Sequence, residues 1–512
     1  MSRYMNSRYA ALDAYVPGEQ PKGEFIKLNA NESPYPPSPA VLAAVRGEEG
    51  SLLNMYPDAA CRALDAALAE SLGVGSENIV CANGSDDILN FCFMAYGERG
   101  AIFPEITYGF YEVFCALHGI KERRAPMHAG LTLRPADYFD AGCLVVIANP
   151  NAQTGVGMPL EGVEAIVRNN PDNVVVVDEA YVAFGGVSAL PLTRKYPNVL
   201  VVRTFSKSRS MAGARLGFAV GSAELIADLK KLKYSTNPYS VNRTALAAGV
   251  AAVRDNDYYE ANCAKIAETR DNFAEALKKR GWYLTDSKAN FVLAKPPAGE
   301  AKQLQSALKE RGILVRYLGG ELSEYLRITI GTPEQMKALL AAIDGIKKAE
   351  LAKAFVDACR EYPPRLDLAA EILARGLNIN MPLPSCPDEN LLTDVIFAFD
   401  CDNEGNACNL PAVVRFFLAN GFNVHKNKGQ FGAVCLEELI WSTYDENMLT
   451  AAKLLLDAGA DPSLKGYSDD DSSVLDCIQM KADMSELEGF PEHEILFNRY
   501  YELAKEYCDN TK

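Results

Sequence analysis

The sequence predicts an α/β protein in three parts: a large domain around a doubly wound, mostly parallel sheet, a small α+β domain, and an all-α domain of helical repeats. Three observations predict this. From about residue 75, short Val/Ile-rich runs alternate with longer amphipathic segments, the pattern of a parallel sheet covered on both faces. Beyond residue 280 the order becomes strand–helix–strand–strand–helix. Beyond Lys348 the strands cease, and the charge balance shifts as well. Residues 351–512 hold 13 of the 51 basic and 28 of the 67 acidic residues, leaving a near-neutral 38 and 39 for the first 350.

Each element follows from local pattern. The Pro-rich opening, Asn29–Pro39, cannot be regular structure and is read as an arm, because proline removes donors and pushes its predecessor toward extended form. Strands are predicted at Ile79–Cys81, Gly100–Phe103, Cys143–Ala148, Val174–Val177, Val199–Thr204 and Gly217–Val220, with helices at Asp86–Tyr96, Tyr108–His118 and Leu160–Arg168. A long helix over Asp257–Arg280 leads to Phe291–Ala294, Ala301–Arg311, Ile313–Arg316, Tyr325–Ile330 and Pro333–Lys348. The predicted division is residues 1–50 as an arm belonging to the small domain, 51–255 as the large domain, 256–348 as the small domain and 352–512 as the repeats. Three stretches resemble one another: Leu368–Asn380, Ala412–Val424 and Ala451–Ser463. Each is an apolar helix closed by a glycine (Gly376, Gly421, Gly459) suited to a left-handed cap. They resemble ankyrin repeats, with Asn390–Asp394 and Ser473–Asp476 as degenerate repeat openings.

Composition narrows the function classes. The 13 cysteines follow no paired framework, and several lie in apolar runs, which suggests reduced thiols in a cytoplasm. Met1–Ala10 has no apolar core for a signal peptide, and the longest apolar runs are far too short to span a bilayer. No basic surface offers itself to nucleic acid. The four histidines form no ligand-spaced pair with cysteine, so no metal is expected.

The chemistry lies in Leu200–Gly217. A buried-looking strand ends at Ser206-Lys207, Arg215 follows, and the connecting loop is rich in glycine and alanine. That setting suits an amine that condenses with a cofactor aldehyde beside donors that hold a phosphate. In Val174–Tyr181 an apolar strand delivers Asp178 to its C-terminal end, where sites of open α/β sheets lie. A carboxylate there can keep a pyridine nitrogen protonated; an isolated aspartate in that place is otherwise a helix cap. Tyr181 is three residues on. In Cys81–Asp87, Gly84 and Ser85 close a strand and open a helix, whose N-terminus favours a phosphate and is equally a common capping sequence.

Together these motifs resemble a fold-type I pyridoxal-phosphate (PLP) enzyme of aminotransferase class I/II, and within it the histidinol-phosphate aminotransferases. The resemblance rests on Leu28–Tyr35 (LNANESPY), Met55–Asp58, Asn83–Asp86, Thr107–Tyr111, Asp178–Tyr181, Ser206-Lys207 with Arg215, Ala289–Val292 and Leu326–Gly331, in the family's order through residues 25–347. It implies that Lys207 carries the cofactor and shuttles the catalytic proton. Asp178 would pair with the pyridine nitrogen, Tyr181 with the phenolic oxygen, and Tyr108 would stack on the ring. Gly84, Ser85, Asp86 through its backbone, Ser206 and Arg215 would hold the cofactor phosphate, with Tyr56 reaching it from the neighbouring subunit of a homodimer. Asn31 would contact substrate, Arg327 the α-carboxylate of glutamate and Arg316 the substrate phosphate. The implied reaction exchanges an amino group between histidinol phosphate or imidazole-acetol phosphate and glutamate or 2-oxoglutarate.

One departure stands out. The family usually carries Asn-Pro-Thr-Gly after its third strand, whereas this chain reads Asn149-Pro-Asn-Ala-Gln-Thr-Gly155. Ala152 and Gln153 replace the Asn and Pro, and Asn151 is expected to substitute as the ring-oxygen ligand. Rival readings are a lyase like the threonine-phosphate decarboxylases, an aromatic amino-acid aminotransferase, and a binding protein whose repeats recruit a protein partner while its PLP domain is vestigial.

Overall fold

The computed structural model of the chain describes all residues except 1–3, 11, 13–18, 21, 298–299, 362, 384–388, 398, 400–408, 427–429, 443–444, 467–471, 489 and 511–512. Part of the opening stretch read for a signal peptide, and Cys386, Cys401 and Cys408, therefore lie outside the described residues. The chain forms two compact units, Met1–Ile343 and Asp344–Lys512.

The first unit holds two sheets. Seven strands make the larger: β2 (Ile79–Ala82), β3 (Ala101–Pro104), β4 (Glu122–Ala125), β5 (Leu144–Ala148), β6 (Val175–Asp178), β7 (Val199–Thr204) and β8 (Gly217–Val220), in the order β2-β8-β7-β6-β5-β3-β4. All neighbours are parallel except β8, which runs antiparallel to both β2 and β7. Because side chains alternate across a strand, each run feeds two cores. Leu144, Val146, Val176, Leu200 and Val202 pack under the helices Ser85–Tyr96, Phe110–His118 and Ala223–Thr236. Val145, Ile147, Val175, Val177, Val199 and Val201 pack under Leu160–Arg168 on the other face. This is why these strands read as unbroken apolar runs. The strand β4, Glu-Arg-Arg-Ala, escapes that reading: it is the edge strand, three of its four side chains are exposed, and its charges suit an edge.

The smaller sheet has five strands: β1 (Ile26–Leu28), β9 (Tyr283–Leu284), β10 (Phe291–Lys295), β11 (Ile313–Tyr317) and β12 (Leu326–Thr329), in the order β1-β11-β12-β10-β9. Three-residue β1 pairs parallel with β11, Ile26 opposite Ile313, and this docks the arm. From Asn29 to Ser38 the arm is irregular. Pro39 then opens the helix Pro39–Arg46, where its missing N–H costs nothing, and the Ser38 hydroxyl caps the Val41 N–H at 3.3 Å.

The helix expected over Pro333–Lys348 runs on to Arg360, so no linker separates residues 348 and 352. Lys347-Lys348-Ala349-Glu350 are good helix formers and contain no breaker. Leu351, Phe355 and Cys359 then continue an apolar stripe at four-residue spacing. These three are buried in the core of the second unit, which is all-α. Its further helices are Leu366–Ala374, Leu391–Phe397, Leu410–Ala419, Gln430–Ser442, Glu446–Asp457, Val474–Glu488 and Pro491–Asn510. They stack alternately: Leu391–Phe397 on Gln430–Ser442 on Val474–Glu488, and Leu410–Ala419 on Glu446–Asp457 on Pro491–Asn510. Gly376, Gly421 and Gly459 take φ of 97°, 87° and 94°, the left-handed conformation that ends a helix. Among the described residues no helix is long and apolar enough to cross a membrane.

Phe355 is fully buried, with its ring centroid 5.3 Å from that of Phe417. Phe355→Ala in the full chain is expected to destabilise the all-α unit by about 3–5 kcal/mol. Urea titration followed by far-UV circular dichroism reads this; an unchanged midpoint would show that Phe355 is not central to that core.

Candidate active site

The C-terminal ends of β2, β5, β6 and β7 bring the sequence-predicted residues together. Each strand is short and apolar, and its register fixes where the first polar residue beyond it emerges. Asp178 is the last residue of β6, paired with Ala148 of β5 and Val202 of β7. It is 4% exposed, and burial raises its carboxyl pKa to about 6. Two donors work against burial: the Tyr111 hydroxyl donates to Oδ2 at 2.8 Å and the Ala180 N–H to Oδ1 at 3.1 Å. Tyr111, which sequence reasoning left without a role, is fully buried, and burial together with Asp178 keeps its hydroxyl protonated. It follows Tyr108 by three residues, its N–H donating to the Tyr108 carbonyl at 3.1 Å in the turn that opens the helix.

Lys207 follows β7 and donates from Nζ to the carbonyl of Ala30 at 3.4 Å, with Nζ 5.8 Å from the centroid of the Tyr181 ring. The Tyr181 hydroxyl accepts from Asn31 Nδ2 at 3.0 Å. Asn31, at φ 54°, is held through its backbone N–H, which donates to the Thr329 hydroxyl at 2.9 Å, while that hydroxyl stands 3.0 Å from Asn31 Oδ1. Thr329 takes the backbone hydrogen, so its own hydrogen goes to Oδ1. Asn31 must then present nitrogen to Tyr181, and Tyr181 must aim its own hydrogen elsewhere. Asn31, expected to contact substrate, joins Tyr181 to β12 through its carboxamide. Thr329 was missed, since a link across 298 residues leaves no local signal.

The phosphate-binding candidates surround the turn at Gly84. Gly84, at φ 87°, precedes the helix Ser85–Tyr96, whose first turn has no side-chain cap. A Cβ on Gly84 would stand 2.7 Å from the Arg215 guanidinium, and one on Gly217 would stand 2.3 Å from the Ser85 nitrogen. Two glycines thus allow a strand, a helix start and an arginine to converge. Arg215 donates to Ser206 Oγ at 3.4 Å and to Asp86 Oδ2 at 2.9 Å, and the Tyr108 hydroxyl donates to Asp86 Oδ1 at 2.8 Å. Asp86 was expected to act through its backbone; its carboxylate is also the anion facing Arg215. Tyr56 lies on the surface, 78% exposed, its ring stacked 4.5 Å from that of Tyr239.

Arg316 and Arg327 occupy directly opposed positions on antiparallel β11 and β12, so their side chains leave the same face of the sheet. Like charges so placed repel unless an anion lies between them. Arg327 donates from Nη1 to the Gln153 side-chain oxygen at 2.8 Å and to the Ala152 carbonyl at 3.3 Å. Asn151, expected at the ring oxygen, also anchors its own loop and commits one of its two amide hydrogens there. Its Oδ1 accepts from the Gln153 and Thr154 N–H groups at 2.9 and 3.0 Å, and its Nδ2 donates to the Ile106 carbonyl at 2.8 Å.

These residues fit a pyridoxal phosphate. Among the described residues the buried Asp178 carboxylate has no ion-pair partner, which a ring nitrogen would supply, and a helix start without a side-chain cap faces an arginine and a serine as a phosphate requires. Among the described residues no group of three or more His, Cys, Asp or Glu could hold a metal.

Two predictions follow from the geometry. The Asp178 carboxyl titrates at about 6 when folded, against about 3.9 when exposed. Its contribution to the stability of the cofactor-free protein is therefore whole below about pH 4 and is lost as pH rises through about 6. The cofactor-free Asp178→Asn variant should lose less Tm than wild type between about pH 4 and 7; equal slopes would refute the assignment. Gly217→Ala should cost about 1–3 kcal/mol through overpacking against Ser85 and weaken cofactor retention; a variant that keeps its cofactor through dialysis as wild type does would contradict this.

Residues 23–343 match the family of class I and II aminotransferases. The chain is 46% identical over 350 residues to a histidinol-phosphate aminotransferase of Marinomonas sp. (strain MWYL1), covering 67% of this chain and 99% of that protein. It is 44% identical over 353 residues to the Brachyspira hyodysenteriae (strain ATCC 49526 / WA1) protein of the same name, covering 68% and 100%. Among solved structures it resembles the histidinol-phosphate aminotransferase of Sinorhizobium meliloti in complex with pyridoxal-5'-phosphate, with TM-score 0.61 and 27% identity over 67% of this chain and 97% of that one. A shared fold, the order of the motifs and the match over most of the first unit lead to one conclusion: the chain belongs to the class I and II aminotransferases.

Proposed function

We propose that the first unit is a PLP-dependent histidinol-phosphate aminotransferase acting in histidine biosynthesis. It transfers an amino group between histidinol phosphate and 2-oxoglutarate, and in reverse from glutamate to imidazole-acetol phosphate. The observation that carries the substrate is the opposed pair Arg316 and Arg327, two fixed cations on one face of β11–β12. They suit substrates that each bear an anionic group: a phosphate ester in one, an α-carboxylate in the other.

Within this reading residues 51–255 form the cofactor domain, and 1–50 with 256–348 the small domain. Bound pyridoxal phosphate supplies an electron-withdrawing ring that stabilises the charge left at the donor's Cα when its proton departs. Asp178 holds a proton on the ring nitrogen and so keeps that withdrawal strong. Tyr181, its acceptor side taken by Asn31, donates to the ring oxygen, and Tyr108 covers the ring. Gly84 and the N–H groups of Ser85 and Asp86, with Ser206 and Arg215, bind the phosphate. Asn151 supports the 151–155 loop and would offer the second hydrogen of its Nδ2 to the ring oxygen. Lys207 Nζ would hold the cofactor between turnovers and would carry the proton between the donor's Cα and C4′. Arg327 orients the α-carboxylate of glutamate and Arg316 the substrate phosphate.

A homodimer is part of the proposal. Leu53, Met55 and Tyr56 are 70%, 58% and 78% exposed, an apolar surface that a second copy would cover while receiving Tyr56 at its own phosphate site. The second unit is proposed to be an ankyrin-like array that recruits a protein partner, supported by its alternate helix stacking, its left-handed glycine caps and the short β-bridges Pro382–Asn390 and Lys465–Ser473. A cytoplasmic location accords with the ten described cysteines, all free thiols.

The test is the absorption spectrum and turnover of the purified chain with histidinol phosphate and 2-oxoglutarate. Lys207→Ala should lose about 10³-fold or more in kcat. Arg316→Ala should lose about 10- to 100-fold in kcat/KM for histidinol phosphate and less for glutamate, as removal of a charge-assisted bond predicts. Turnover of tyrosine or phenylalanine in preference to histidinol phosphate would replace the substrate assignment with an aromatic one. Release of carbon dioxide from threonine phosphate would replace it with a lyase.

A further inference from the structure

The 151–155 loop carries glutamine where the family's motif has proline, and that glutamine faces Arg327. The bond from Arg327 Nη1 to Gln153 Oε1 is 2.8 Å, and a second bond from the same nitrogen reaches the Ala152 carbonyl at 3.3 Å. The Arg327 guanidinium carbon also lies 5.4 Å from the centroid of the Phe291 ring on β10. Gln153 is itself well anchored, because its backbone N–H donates to Asn151 Oδ1, and the same oxygen accepts from Thr154. The acceptor presented to Arg327 therefore comes from a capped turn. A proline side chain has no acceptor to offer.

An arginine reads a carboxylate or phosphate through a planar fork, which selects only if its plane is fixed. Two bonds to one terminal nitrogen fix that plane about the last side-chain torsions. A neutral acceptor does so while leaving the positive charge uncompensated. A carboxylate in the same place would hold the plane equally well but would compete with the substrate's own anion. Across the sheet Arg316 adds a second cation opposite Arg327, so an untethered Arg327 would swing away from it.

We infer that Gln153 is a positioning residue that orients the Arg327 guanidinium toward the anionic group of the amino donor and so sets the affinity for that donor. The inference rests on the reading of Arg327 as the carboxylate-binding arginine.

The experiment is steady-state kinetics of the cofactor-loaded full chain with glutamate and with histidinol phosphate, comparing Gln153→Leu, Gln153→Glu and Arg327→Ala with wild type. Loss of one neutral hydrogen bond to a charged group predicts that Gln153→Leu raises KM for glutamate about 3- to 10-fold, with kcat within about 2-fold and the cofactor absorption band unchanged. Gln153→Glu keeps the bond and the side-chain shape but adds a competing anion, and it should raise KM further than Gln153→Leu does. This variant keeps the test alive should the leucine variant fold poorly. Equal KM values for wild type and both Gln153 variants, with Arg327→Ala strongly impaired, would overturn the positioning role and leave Arg327 in place. A fall in kcat and stability with no change in KM would mark Gln153 as merely structural and also overturn it. If Arg327→Ala itself leaves both KM values unchanged, the reading of Arg327 fails, and the inference falls with it.

Discussion

A single carboxylate sets the terms for the rest of the site. Asp178 ends a strand flanked on both sides by other strands, so water cannot reach it, and burial raises its pKa to about 6. Nothing in an apolar sheet favours such a group. It stays in place because Tyr111 and the Ala180 N–H meet its oxygens, and because the sheet order leaves β6 central. The chain thus keeps a buried negative charge at the depth where a pyridine nitrogen would come to lie. At their ends the strands also carry Lys207, Tyr181 and the Gly84 turn, the groups proposed to hold the cofactor. Their short lengths and matched ends are what keep these groups within reach of one another.

Much of the fold was legible because burial leaves a simple trace. The runs at 144–148, 175–178 and 199–204 are apolar throughout, since both faces of each strand are covered. The edge strand Glu122–Ala125 left no such trace, and neither did Ile26–Leu28, whose partner Ile313 lies far along the chain. The helix through Lys348 outran its expected end because a change of composition is not a change of backbone preference. In the site, the lysine, the aspartate and the arginines were legible from motif order. Their supporting partners were not. Tyr111 needed the folded turn before its helix, Thr329 a contact with Asn31 across 298 residues, and Gln153 a loop that departs from the familiar pattern. Asn151 shows the limit from the other side. Its position suggested a ring ligand; that its carboxamide also caps the loop is revealed only by the folded hydrogen bonds.

The two arginines on β11 and β12 show where structure has been arranged for binding rather than for stability. Opposed like charges weaken a sheet, and a pair of aliphatic residues in the same register would strengthen it. The same holds for the glycines at 84 and 217, which give up backbone rigidity so that a helix start, a strand and a guanidinium can meet. The arginines belong to the smaller sheet, and the glycines lie where β2 ends and β8 begins in the larger one.

The strand β12 carries two side chains on one face, Arg327 and Thr329, separated by a single residue. The first reaches the loop at 152–153, and the second directs the hydrogen of Tyr181 through Asn31. A strand is stiff over three residues, so a displacement that seats one of these groups seats the other. On the reading proposed above, the same short strand would then join the group that holds the tail of a bound molecule, Arg327, to the phenol of Tyr181, so that recognition and the hydrogen bonding of that phenol would share a few ångströms of backbone.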